Sequence, residues 1–459
     1  MSHSAAHRPQ PSMTEGSIWK GLTAFAIPIF LGNLFQQLYN TVDTLIVGNL
    51  IGKEALAAVS SSNNLIFMLV GLINGIAMGA GVVIAKFYGA GDEKNLRLAI
   101  HTDLAAGLIA GLFLTVVGVA LSPVILRWMG TPEDVLPSSV AYFRTYFTGA
   151  LAVCMYNVAT GILQAVGDSR HPLYYLIISS AVNVALDLLF VGVFRWGVAS
   201  AAAATVISQG LSAALCLIRL IRSDTVYRVN LRSLTLHPGM LGQIIRFGLP
   251  SGLQNSIIGF ANVIVQSNIN AFGANAMAGC GSYSKIEGFA FLPVTCFSMG
   301  LATYVSQNLG AKKHDRVRKG ARFGILCSTI LAEIIGVLIF ALSPVLIALF
   351  NSDPEVVTFG VQQARIEALF YCLLAFSHCM AGIFRGAGKA SVPMLVMLAC
   401  WCVIRVTYIT LTVQLIPNIL VVFSAYPLTW SLSSVVFLIY YFKADWIHTF
   451  DRLDAGQKA

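Results

Sequence analysis

GILQAVGDSRHP, from Gly161 to Pro172, returns 221 residues later as GIFRGAGKASVP, from Gly382 to Pro393. The same offset carries ALSPV at 120–124 onto ALSPV at 341–345, Gly89-Ala90 onto Gly310-Ala311, and Gly52 onto Gly273. FAIP ending at Pro28 and FGLP ending at Pro250 pair at 222. Four anchors at 221 and a fifth at 222 mean that the chain is built twice, as two related halves.

The composition says what solvent those halves face. Of the 459 residues, 57% are hydrophobic and 11% charged, with a mean hydropathy of +0.76. A soluble chain carries about a quarter of its residues charged. Lipid is the expected surrounding, where each backbone polar group must be satisfied inside a helix or a closed barrel. The apolar runs are long and lack the alternation of barrel strands, so helices are expected.

Runs long enough to cross a bilayer core, roughly 20 residues each, fall near 18–49, 57–84, 98–122, 141–166, 172–194 and 198–221. A second six fall near 241–271, 276–307, 321–345, 361–386, 391–415 and 418–442. The expected fold is an all-α integral membrane protein of 12 transmembrane helices. They form two pseudo-symmetric six-helix bundles around a central cleft, with the symmetry axis along the membrane normal. The expected division is a disordered tail at 1–16, an N-terminal lobe at 17–222, a linker at 223–240, a C-terminal lobe at 241–443 and a tail at 444–459.

Of the 29 Lys and Arg, 22 lie in the termini and even-numbered loops. Cytoplasmic loops collect such residues, so both termini are expected in the cytoplasm. The cluster Lys312, Lys313, Arg316, Arg318, Lys319 and Arg322 reads as a topogenic loop rather than a nucleic-acid patch, and the net charge of +9 says little about partners. The polar, proline-containing start lacks the apolar core of a signal peptide, and Met13 is an alternative start. The nine cysteines lie almost all in apolar runs without a CxxC pair, which marks small buried hydrophobes. Neither a nucleophile-base constellation nor an HExxH motif occurs in the spans, so a membrane-embedded enzyme is not expected, nor any cofactor.

Ionisable groups inside a membrane are costly and mark function by default. Gln36, Asn40 and Asp43 share one face of the first span at i, i+4, i+7 spacing, beside Asn33 and Tyr39. Asn183 and Asp187 are four apart on the fifth, and Thr205 on the sixth reaches a similar depth. Asn157 lies deeper on the fourth. Two buried carboxylates close together cannot both ionise cheaply, so the pair can hold a proton. With the amide and hydroxyl oxygens, Asp43, Asn183, Asp187 and Thr205 could instead coordinate Na⁺.

The second half does not repeat this. Ile264 and Tyr408 stand at the positions matching Asp43 and Asp187. Its ionisable groups are Lys285, Glu287, Glu333, His378 and Arg405, with Glu333 and Arg405 read as a structural pair and Glu287 as a cleft group. Pro28 and Pro250 stand at matching points of the first helix in each half, where a lost backbone hydrogen bond permits a hinge. Phe35, Tyr39, Phe67, Phe260, Phe289 and Phe291 are candidates for an apolar cleft that takes organic cations.

YNTVDTLIVGNLIGKEALAAV at 39–59, QNLGA at 307–311 and the doubled six-span plan resemble the multidrug and toxic compound extrusion transporters, over about residues 17–443. The nearest pattern is the prokaryotic branch typified by the DNA-damage-inducible F proteins. That resemblance implies a cation site in the N-terminal lobe at Asp43, Asn183, Asp187 and Thr205, with Asn157 and Gln36 nearby. It implies a secondary antiporter, most simply a monomer in a bacterial inner membrane. Such a protein exports amphipathic, often cationic, organic compounds in exchange for H⁺ or Na⁺ by alternating access. Other branches carry an acid on the seventh helix, and residues 241–272 here contain none. The alternative is a lipid-linked oligosaccharide flippase of related two-lobe plan, but its anionic substrate would want cleft Arg or Lys, which the N-terminal spans almost lack.

Overall fold

The computed structural model describes residues 13–50, 53–128, 133 and 136–456. Of the disordered tail expected at 1–16, residues 1–12 lie outside the described residues, as do Gly52, the last three residues and the side chain of Phe67, whereas Met13 and Thr14 are described and buried. No strand occurs among those described.

The first half runs α1 (Ile18–Leu50), α2 (Lys53–Ala90), α3 (Glu93–Trp128), α4 (Leu136–Thr148), α5 (Ala150–Ala165), α6 (Arg170–Asp187) and α7 (Val198–Arg222). The second runs α8 (Pro238–Asn270), α9 (Ala274–Gly310), α10 (His314–Ala348), α11 (Pro354–Glu367), α12 (Tyr371–Gly386), α13 (Ser391–Met397), α14 (Arg405–Leu415), α15 (Ile419–Lys443) and the short α16 (Thr449–Gly456).

Ten of the described helices or joined segments are long and apolar enough to cross a membrane, and α4 with α5 makes an eleventh. The remaining long helix, α8, is not among them, so the count of twelve is not reached by length and apolarity alone. The single span expected at 141–166 is in fact bent by 46° between α4 and α5. Gly149 sits at that break, where an added Cβ would lie 2.4 Å from Val206 Cγ2. The tenth expected span is interrupted by a 3₁₀ turn at Ala368–Phe370. Two π-helical segments were also not legible: Leu188–Val193 follows Asp187 directly, and Leu398–Ile404 precedes Arg405. Such wide turns are rare and recur at functional sites.

The described residues group into two compact units. One is Ile27–Gly248; the other is Met13–Ala26 together with Leu249 onward. The cuts fall inside α1 and inside α8, two residues before Pro28 and Pro250. In the first unit α3 packs on α4 and α5, and α7 on α4, α5 and α6, around Phe143, Phe147, Leu126 and Ala202. In the second, α9 packs on α10, α11 and α12, while Val265, Ile269, Ile409 and Phe423 form a separate core.

The outer flanks invert the usual pattern. Ile109, Phe113 and Val116 of α3 and Ile330, Ile334 and Leu338 of α10 are each more than half exposed. Contiguous apolar surface of this kind belongs against lipid.

Candidate functional site

Helical spacing places the polar residues of the first unit on facing helices. Asp187 is fully buried at the end of α6, and Asn183, one turn earlier, is 1% exposed. Asp43 of α1 is half-buried, and its carboxyl lies within hydrogen-bonding reach of that of Asp187. Two ionised carboxylates have no donor to offer each other, so the contact is attractive only when a proton or cation lies between them.

The polar atoms around this pair are left open. Asp43 Oδ1, both oxygens of Asp187, both amide atoms of Asn183, Ser180 Oγ and Gln209 Oε1 are buried without a hydrogen-bond partner among the described residues. Buried polar atoms are nearly always paired. A set of them with a surplus of acceptors suits a small cation.

Beside the carboxylates, Tyr39, Ser179, Ser180, Asn183, Thr205, Ser208 and Gln209 line a cavity of about 10 Å³. A space of that order holds about one water-sized particle. Gln36 and Gln209 lie beside the Tyr39 hydroxyl, so Gln36 belongs to the surroundings of the cluster.

The structure therefore brings Asp43, Asn183, Asp187, Thr205, Gln36 and Tyr39 to one region. Asn157 is half-buried on α5, and its Nδ2 donates back to Val153 O of its own helix at 3.0 Å. Thr205 lines the cavity, although its hydroxyl donates to Ala201 O at 3.1 Å. Asn33 is half-buried and Asn40 exposed; each has a partner of its own. Ser179, Ser180, Ser208 and Gln209 are not among the sequence-derived candidates, yet the spacing carries a signal for three of them. Ser180 precedes Asn183 and Asp187 at i, i+3, i+7, and Ser208 and Gln209 follow Thr205 by three and four. No group of three His, Cys, Asp or Glu side chains that could hold a metal occurs among the described residues.

The second unit holds a different polar cluster. Arg405, 3% exposed, donates to Thr429 Oγ1 from Nε at 3.1 Å and Nη2 at 2.8 Å, and its guanidinium lies 4.3 Å from the Tyr426 ring centre. Glu367, absent from the sequence-derived candidates, is fully buried and accepts from Gln363 Nε2 at 2.9 Å. Glu287, half-buried, lies in the electrostatic neighbourhood of Arg405. Phe289 is 37% exposed. The expected Glu333–Arg405 pair is not formed. Glu333 Oε2 instead accepts the Cys372 backbone N–H at 3.2 Å, capping a freed amide after the 3₁₀ turn.

A doubled helical chain with apolar flanks suited to lipid and a polar cluster holding carboxylates inside each unit has the construction of a membrane transporter. The MatE family model matches residues 28–189 and again 250–411, and the chain belongs to this family. The matched segments start at Pro28 and Pro250, which restates the repeat. The chain is 30% identical to the probable multidrug resistance protein YpnP of Bacillus subtilis (strain 168), over 87% of this chain and 89% of that protein. It is 28% identical to YoeA of the same organism, also described as a probable multidrug resistance protein, over 93% and 94%. A multidrug resistance MATE family transporter solved in an outward-facing conformation superposes with a TM-score of 0.87 at 23% identity, covering 93% of this chain and 96% of that one.

Proposed function

We propose that this chain is a multidrug efflux antiporter that exports amphipathic, cationic organic compounds in exchange for H⁺ or Na⁺, with the Asp43–Asp187 pair as the ion site. The observation that carries the reading is the pair itself: two carboxyls within hydrogen-bonding reach, with unpartnered amide and hydroxyl atoms around them. The names of the relatives support the drug-export half of the reading.

The ion does its work through differential affinity. A ligand shifts a two-state equilibrium only by binding one state more tightly than the other. Occupying the carboxylates removes the electrostatic penalty of one arrangement of α1 and α6; releasing the ion restores it. The protein works as a monomer in the inner membrane of a bacterium, with both termini in the cytoplasm, and its partners are small organic molecules and the bilayer.

The test is ethidium efflux in energised vesicles containing the protein, with Na⁺ present or replaced by choline at fixed pH, and then at fixed Na⁺ with the pH gradient collapsed. Efflux that falls only on Na⁺ removal assigns Na⁺; efflux that falls only on collapse of the gradient assigns H⁺. Efflux indifferent to both would overturn the antiport reading.

A further inference from the structure

The base of α1 is held by a grip that the transport reading leaves unused. Met13 and Thr14, just before α1, are both buried. The Met13 N–H donates to Gln307 Oε1 at 3.1 Å, and Asn308 Nδ2 donates to Met13 O at 3.2 Å. Lys313 Nζ donates to Thr14 O at 3.0 Å. Arg316 spreads its guanidinium over three carbonyls in four contacts: Nε to Met13 O at 3.4 Å, Nη2 to Met13 O at 3.2 Å and Glu15 O at 2.8 Å, and Nη1 to Gly16 O at 2.8 Å. Gln307 and Asn308 are fully buried.

All these partners lie at the α9–α10 corner, inside the second unit. The same unit takes the first turns of α1, as far as Ala26, while Ile27 onward, with Asp43, belongs to the first. The doubled chain repeats the plan. The segment before α8 is held on α3, in the first unit: Arg97 Nε donates to Val226 O at 3.3 Å, the Asn230 N–H to His101 Nε2 at 3.2 Å, and the His237 N–H to Thr102 Oγ1 at 3.4 Å. The first turns of α8, as far as Gly248, belong to that unit. Each half's first helix is thus rooted in the unit of the other half, and each crosses over two residues before its proline.

We propose that Arg316 is a positioning residue for ion-coupled efflux. Its grip on Met13–Gly16 is a fixed anchor for the base of α1, so that motion of the Asp43-bearing part of the helix is taken up at Pro28. The proposal rests on the antiporter reading for its efflux readout alone. The competing account of Arg316 is a topogenic charge, and the two differ in what lysine can replace. Lysine keeps the charge but cannot span three carbonyls with a planar fork.

The experiment introduces Thr14→Cys into the full-length protein and follows its reaction with N-ethylmaleimide in sealed membrane vesicles, against a parent that retains only the native cysteines. In the Arg316 background the added thiol should react slowly. With Arg316→Lys it should react at least about tenfold faster, as expected for a locally opened segment, and efflux should fall at least about threefold with membrane abundance unchanged. Slow reaction and parental efflux in Arg316→Lys would overturn the grip in favour of the charge. Within the Arg316 background, a reaction rate that stays within about twofold during turnover supports a fixed anchor, whereas a rise of about tenfold would overturn it, since the segment would then be opening in each cycle. Failure of efflux in the parent, before either substitution, would count against the antiporter reading, leaving the labelling arm to decide the grip.

Discussion

Asp187→Asn should reduce energised ethidium efflux by at least about tenfold, the order expected when a group acting directly on the transported ion is removed, while the protein inserts normally and melts no lower than wild type. The substitution is nearly isosteric and changes a fully buried residue, so packing around the end of α6 is kept. What it removes is charge. Both Asp187 oxygens lack a donor, and Asp43 offers only another carboxylate. An uncompensated buried carboxylate costs several kcal/mol, so the wild-type site is destabilised whenever its proton or cation is absent. The amide relieves that cost and can no longer exchange the ion. Loss of transport without loss of stability is therefore the expected signature, where a packing defect would lose both. Asp43→Asn should behave alike, and the double substitution should be little worse than either single one, because residues that act as a unit are not additive. The readouts are dye efflux and a thermal melt in detergent. Wild-type efflux in Asp187→Asn would remove the residue from the coupling site.

The parts of this arrangement legible in the sequence are those written in residue type and spacing. The repeat showed because prolines and glycines stand at fixed offsets. Gln36 with Asp43, and Asn183 with Asp187, could be set on shared faces because both stretches are helical where it matters. What residue type and spacing do not carry is geometry that departs from a regular helix. Gly149 bends the α4–α5 pair, the π-helical turns widen α6 after Asp187, and the 3₁₀ turn at Ala368–Phe370 follows Glu367, whose place at a helix end hid it. The exchange of helix bases was invisible for another reason. Most of its contacts run from side chains to backbone carbonyls of Met13–Gly16, and any four residues would present the same carbonyls.

One pair of glycines tests that exchanged architecture by the sign of two otherwise similar substitutions. Gly79 of α2 meets Gly248 of α8 backbone to backbone: a Cβ added at Gly79 would lie 2.2 Å from Gly248 N, and one added at Gly248 would lie 2.6 Å from Ile76 Cα. At the repeat-related crossing, a Cβ on Gly300 of α9 would lie 3.5 Å from Phe25 Cδ1 of α1, so that contact is ordinary and the α2–α8 one is much tighter. Neither backbone can yield without moving a whole helix. Gly79→Ala should therefore destabilise by about 1–3 kcal/mol, the usual cost of overpacking. Two residues on, Gly81 has the carbonyl oxygen of Gly161 as its nearest neighbour at 3.9 Å from an added Cβ. There the same substitution should stabilise by about 0.5–1 kcal/mol, since alanine loses less backbone freedom in a helix. Because the tight crossing stands two residues from Pro250, Gly79→Ala should also slow efflux, and Gly81→Ala should leave it unchanged. Thermal melts of the two purified variants, with dye efflux on the same preparations, check both halves. A stabilised, fully active Gly79→Ala would mean that the base of α8 does not pack on α2 in the working protein, and the exchange of helix bases would fall with it.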